Sequence, residues 1–252
     1  MFNNYVVEIE ENKMLDIRLM KKLPLKSSFK IMKSIMPSGD ITGVNVDIRR
    51  KKIYVIVEGE EVYIKLITIP RVNYSKIEDL IRGELLYYFK EIENILFTYS
   101  ILKEVDRCFE VIVFCLNADK IDVLQKSFCD ISQVKGIYLI QFCILNFMKK
   151  TINEDNFNVV FSLKKSLYLM EVKFNILKKN RVIKEVMSSE EFKSQVDGFI
   201  KYKISSYNDV NTYFVNIDNK VWIEEYIKEG CFKDLGRFSE KEIIENSTIS
   251  SK

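Results

Sequence analysis

The sequence predicts an α/β fold, with mixed sheets flanked by helices. Three observations lead there. Two short strands, Ile53–Val57 and Val62–Ile69, run into an amphipathic helix and then a third strand near Leu96–Leu102. A strand–helix–strand–helix order follows from Phe109 to Lys150. Beyond Thr151 the pattern changes to a meander, with a further helix and strand behind it.

The stretch from Ile53 to Leu102 organises the rest. Ile53, Val55 and Val57 alternate with Tyr54 and Ile56, and Ile64, Leu66 and Ile69 continue a near-alternating pattern after the turn at Glu58-Gly59-Glu60. β-Branched and aromatic residues suit a pleated, half-buried surface. Pro70 has no N–H for a ladder and marks the end of the second strand. Ser75 with Glu78 three residues on forms a capping-box signature. Ile77, Leu80, Ile81, Leu85 and Tyr88 then share one helix face.

Upstream, Tyr5–Glu10 and Met14–Met20 read as a hairpin, Ser27–Met36 as a short helix and Gly43–Ile48 as a strand. Arg49-Arg50-Lys51-Lys52 reads as a solvated basic connection. Downstream, the near-continuous apolar run Phe109–Leu116 predicts a strand covered on both faces. Asn117 can cap a helix over Asp119–Phe128, and Gly136–Ile140 and Gln141–Lys150 follow as strand and helix. The polar stretch Thr151–Asn158 sets the boundary between halves. Val159–Leu163, Leu167–Lys173 and a hairpin over Asn175–Val186, turning at Lys179-Asn180, make the meander. Ser188 and Glu191 form a second capping box before a helix to about Ser205, with Phe192, Val196, Phe199 and Ile200 on one face. Thr212–Ile217 is a strand, Asn219–Glu229 a short helix carrying Trp222 as a core residue, and the tail from Ser239 is polar and frayed.

Composition narrows the function classes. The 252 residues are 47% hydrophobic and 30% charged, with a net charge of +3, which is the balance of an ordinary globular protein. Nothing clusters into the basic footprint that nucleic-acid binding needs. The five cysteines include no CxxC pair, which fits a reducing compartment. Histidine is absent, so the usual Ser-His and Cys-His nucleophiles and imidazole metal ligands are excluded. The longest apolar run, Ile137–Phe147, is shorter than the ~20 residues of a spanning helix. The sequence therefore reads as cytoplasmic, with no membrane span. It holds no Walker loop, GxGxxG, GxSxG or metal-ligand spacing.

The string KKIYVIVEGEEVYIKLITIP…IEDLIRGELLYYF…FTYSIL resembles the PilM family of type IV pilus assembly proteins and the cytoplasmic domain of the related GspL. The likeness covers Lys51–Lys150. It rests on the Ile69-Pro70 step, Glu84 within the helix, the aromatic helix end Tyr88-Phe89, and the strand with Tyr99, Ile101 and Leu102. Lys90 stands where the family usually has proline. The resemblance implies an actin-like fold: a first half over 1–150 with an inserted subdomain at about 51–140, a shortened second half over 151–238, and a flexible tail over 239–252.

All three nucleotide signatures of that family are altered. Glu8-Ile9-Glu10-Glu11-Asn12 and Phe161-Ser162-Leu163-Lys164-Lys165 replace the two Asp-Ile-Gly phosphate turns, and Asn216-Ile217-Asp218-Asn219 replaces the Gly-Gly near adenine. Glycine lets the backbone approach phosphate, and acidic side chains repel it. The resemblance thus implies a non-enzymatic scaffold with no catalytic, metal or cofactor residues. It implies a place on the inner face of the cytoplasmic membrane in a pilus or type II secretion-like platform. The implied partners are the N-terminal cytoplasmic segment of a PilN-like membrane protein and the assembly ATPase. Leu86, Tyr87 and Phe89, off the helix's main apolar stripe, are the candidate partner-binding residues. Two alternatives stay open: an ATP-binding actin-like protein with an altered phosphate loop, and the cytoplasmic half of a GspL-like or PilM–PilN fusion membrane protein.

Overall fold

A computed structural model describes residues 4–10, 13–20, 52–121, 134–200, 210–228 and 230–246. The helix expected over Ser27–Met36, the strand over Gly43–Ile48 and most of the helix over Asp119–Phe128 lie outside them. Contacts divide the chain into two units, residues 1–21 with 26–138, and 22–25 with 139–252.

In the first unit, β1 (Asn4–Glu10) and β2 (Lys13–Met20) form the antiparallel opening hairpin, with a register slip between Glu8 and Ile9. β3 (Lys52–Glu58) lies parallel to β1. Ile53 to Glu58 are all buried, so β3 is covered on both faces where alternation predicts one; it is an interior strand of the sheet, lying between β1 and a later strand, Val134–Leu139.

A second, three-stranded antiparallel sheet follows, built from β4 (Tyr63–Pro70), β5 (Ile95–Val105) and β6 (Cys108–Asn117) in the order β4-β6-β5. Pro70 is the last residue of β4 and pairs with Cys108. The helix α1 (Tyr74–Phe89) packs on one face, with Ile77, Ile81 and Leu85 fully buried against Ile67, Ile69, Val111, Val113 and Cys115. Two expectations fail here. The Ser75–Glu78 box does not cap α1, because the extended Asn73 is the N-cap, and Ser75 already lies in the first turn. Tyr88 does not join the buried stripe; it is exposed at the helix end. Lys90, at φ 64°, closes α1 by donating its N–H to the Leu86 carbonyl at 2.8 Å. Asn117 accepts from the Asp119 N–H at 2.9 Å and so caps the short 3-10 turn Ala118–Ile121. β7 (Val134–Leu139) completes the first sheet.

The second unit opens with α2 (Ile140–Thr151), eight of whose residues are buried. It packs on β9 and on the last helix, so this helix falls with the second unit and not before the boundary. β8 (Phe157–Leu163), β9 (Ser166–Lys173) and β10 (Ile176–Lys184) form the meander. The turn expected at Lys179-Asn180 is absent: these residues pair with Glu171 and Met170 inside β10, next to a bulge between Leu177 and Lys179. The chain reverses instead at Phe174-Asn175, where φ is 52° and 61°. Positive φ at both central residues matches the twist of a two-residue hairpin.

α3 (Ser189–Ile200) begins as the sequence predicts: Ser188 Oγ accepts from the Glu191 N–H at 3.1 Å, and the Glu191 carboxylate accepts from the Met187 N–H at 2.9 Å. β11 (Thr212–Val215) runs parallel to β8, α4 (Glu224–Ile227) follows a 3-10 turn over Lys220–Trp222, and β12 (Phe232–Asp234) lies parallel to β11. The sheet order β10-β9-β8-β11-β12 is therefore mixed. Phe192, Val196 and Phe199 of α3 fill one face together with Leu167, Leu169, Phe214 and Tyr226. The expected frayed tail carries a helix, α5 (Glu240–Asn246), in which Ile243 and Ile244 are buried. This i, i+1 apolar pair in a polar stretch is too short to show periodicity. No helix among the described residues is long and apolar enough to cross a membrane.

Cys115 lies under α1 and is 3% exposed, and burial pushes its thiol from the ordinary 9.0 up to about 12. Its raised folded value favours the neutral form, so the stability it contributes is complete below pH ~9 and is lost as pH rises toward 12. Urea unfolding midpoints measured across that range should fall for the wild type and fall less for Cys115→Ala. In native protein at pH 8, Cys115 should resist iodoacetamide, read by peptide mass mapping.

Candidate functional site

The candidate surface is the C-terminal end of α1 and the strand beside it. Odd-numbered residues of β4 face the helix. Ile67 and Ile69 are buried beneath it, and Tyr63 and Lys65 extend the same row toward the helix end. There the Tyr63 and Phe89 rings meet edge to face, 5.0 Å between centroids. The Lys65 ammonium sits 3.8 Å above the Tyr88 ring. On the other flank the Arg82 guanidinium lies 5.4 Å from the Phe97 ring of β5. Cation–π contacts on both sides thus steady a helix whose core stripe is only Ile77, Ile81 and Leu85.

The three residues predicted from sequence separate. Tyr87 is 81% exposed and Leu86 is 49% exposed, so both present apolar surface to solvent. Phe89 is half-buried against the α1 core and the Tyr63 ring. Tyr63 and Tyr88 were not predicted and join the surface, with Tyr88 edge-on to Tyr87 at 5.5 Å. Tyr63 is legible in the alternation Tyr63, Lys65, Ile67, Ile69. Helical spacing puts Tyr88 on the buried stripe, but the residue of the edge strand β4 that it meets is Lys65, so its ring stays exposed. Exposed tyrosines and leucine with flanking cations suit an apolar or aromatic peptide segment.

The residues at the expected nucleotide turns do not fit a phosphate chain. In the first unit, Glu8 and Glu58 are buried, with carboxylate oxygens within 4.8 Å of one another. Two carboxyl groups at this hairpin set oxygen acceptors where an anion would need donors. In the second unit, the turn Lys164-Lys165 joins β8 and β9, with Lys164 at φ 52°. Its cations are engaged within the unit: Lys164 with Glu240 at 3.5 Å and Lys165 with Glu185 at 3.4 Å. At the third position, the Asn216 side chain bridges to the Phe238 backbone, accepting from its N–H at 2.7 Å and donating to its carbonyl at 2.9 Å. This is a structural clasp. Trp222 stands on the rim of the α3 core, 5.4 Å from the Phe192 ring.

Because Tyr87 makes so little contact with the fold, Tyr87→Ala should change unfolding free energy by no more than about 0.5 kcal/mol. Phe89→Ala should cost about 1–3 kcal/mol. Urea titrations of the two variants check the contrast.

No family model matches the chain, and no curated protein matches it. Among solved structures, it is similar to a chain of the PilM-PilN type IV pilus biogenesis complex, at 11% identity over 96% of this chain and 94% of that one, with a TM-score of 0.52. A protein of actin-like ATPase fold and unknown function from Bacteroides thetaiotaomicron is 12% identical over 92% and 90% of the two chains, TM-score 0.45. The cytoplasmic domain of EpsL, an inner-membrane component of the type II secretion system of Vibrio cholerae, is 10% identical over 84% and 81%, TM-score 0.42. At such identities the likeness is one of fold, and the chain has the α/β, actin-like fold, with mixed sheets flanked by helices, that its resemblance to PilM implies.

Proposed function

We propose that this chain is a non-enzymatic scaffold of a type IV pilus or type II secretion-like assembly platform. It works at the inner face of the cytoplasmic membrane, binds the N-terminal cytoplasmic segment of a PilN-like membrane protein, and links that protein to the assembly ATPase. The observation that carries the reading is the exposed Leu86-Tyr87-Tyr88 end of α1 beside Tyr63. A fold shared with the PilM-PilN complex supports it. An extended peptide would lay apolar side chains on Leu86 and Tyr87, with Lys65 and Tyr63 fixing the far edge. The carboxylates and ion-paired lysines at the nucleotide turns support a role without ATP chemistry.

The test is isothermal titration of the full chain with a synthetic N-terminal cytoplasmic peptide of the membrane protein encoded beside it. Saturable binding is expected, weakened about tenfold by Tyr87→Ala. Affinity unchanged in a folded Tyr87→Ala variant would remove this surface from the interface. A parallel titration with Mg-ATP should give no saturable heat, and tight binding there would overturn the non-enzymatic reading.

A further inference from the structure

We infer that the second unit holds a small-molecule site for an uncharged, largely apolar ring compound carrying one hydrogen-bonding group. A cavity of about 370 Å³ opens where the β8–β9 turn, the β10–α3 connection and the end of β11 come together. That volume lies within the range of small-ligand pockets. Its floor is core: Leu167, Phe192 and Ile217 are each at least nine-tenths buried, and Val186 and Trp222 pack against the same cluster. Met187, a flexible thioether exposed to solvent, stands at the mouth.

The charges around the cavity select the ligand class. Lys164 pairs with Glu240, Lys165 with Glu185, and Asp218 with Arg237 at 3.0 Å. Each charged lining residue therefore brings its counter-ion from the same unit, and the lining carries no uncompensated charge. A charged ligand would be desolvated against apolar walls without an unengaged partner. An uncharged ring meets no such penalty. The polar groups left to orient it are the Ser162 hydroxyl, the buried Ser166 hydroxyl, whose oxygen has no hydrogen-bond partner, and the Asn219 side chain, whose oxygen accepts from the Val221 N–H at 3.2 Å and leaves the amide nitrogen as donor. A turn that the actin-like fold would devote to phosphate thus borders an apolar, charge-neutral cavity.

The experiment is a titration of the full chain, methyl-labelled at Ile, Leu, Val and Met, with indole, with indole-3-propionate and with Mg-ATP, followed by NMR. Indole should shift the Leu167, Val186, Met187 and Ile217 methyls saturably and leave those of α1 unmoved. Indole-3-propionate, the same ring with a carboxylate, should bind at least about tenfold more weakly. Val186→Trp should fill the cavity and abolish the indole shifts. Met187→Ala, at an exposed position that folding does not need, should weaken binding roughly three- to fivefold. The proposal is overturned if indole gives no saturable shift up to its solubility, or if its shifts spread equally over both units. It is likewise overturned if either anion binds these methyls more tightly than indole. Peptide binding at α1 is read on the other unit, so either result stands without the other.

Discussion

The packing of Ile77, Ile81 and Leu85 into the row Ile67, Ile69, Val111 and Val113 sets the geometry on which the first unit's surface depends. Each of the three helix side chains is fully buried, and together they contribute about 5–9 kcal/mol of apolar burial. Three contacts at i, i+4 and i+8 fix the rotation of α1 about its axis. Once that is fixed, Leu86 and Tyr87 point outward, and Phe89 turns toward β4. The aromatic end of the helix is thus a by-product of a core that stops one turn early. The chain covers that overhang incompletely, with Tyr63 and Lys65, and leaves the remainder exposed.

The second unit rests on a different constraint. Its sheet is filled on both faces, by α3 on one and by α2 through β9 on the other. Both hairpins of its meander reverse without glycine, at Lys164-Lys165 and Phe174-Asn175, and a third such reversal, Asp106-Arg107, joins β5 and β6. A non-glycine residue in the left-handed region costs about 1–2 kcal/mol. The ladders on either side of each turn are long, and they hold the strained residues there. At Lys164-Lys165 this has a chemical effect. The turn presents side chains where a glycine turn would present bare amides, and those side chains are drawn into ion pairs.

Much of this was legible in the chain. The strand around Ile53 follows from alternation, the strand around Val111 from a near-continuous apolar run, and the Ser188–Glu191 and Asn117 caps from polar residues at fixed offsets. The failures share one cause, competition among local signals that tertiary packing decides. Ser75 and Glu78 have cap spacing, but the chain enters the helix from Asn73, so the box falls inside the first turn. Lys179-Asn180 has turn composition, but a bulge absorbs it within β10. Tyr88 has core spacing, but it meets a lysine of the edge strand and stays exposed. The cavity beside Trp222 had no signature, because its lining comes from five separate segments whose meeting is a property of the sheet order. The exposure of Leu86 and Tyr87 could be proposed from sequence, whereas the half-burial of Phe89 required knowing where Tyr63 lies.

The helix-side core of the three-stranded sheet draws all its residues from 67 to 115. These contacts need nothing from the later half of the chain. During synthesis, α1 and its sheet can therefore assemble while the second unit is still being translated. The aromatic surface would then be available on the ribosome-bound nascent chain. A chain built this way presents the surface proposed for a peptide before its second unit is complete, so that the order of assembly is written into the order of the chain.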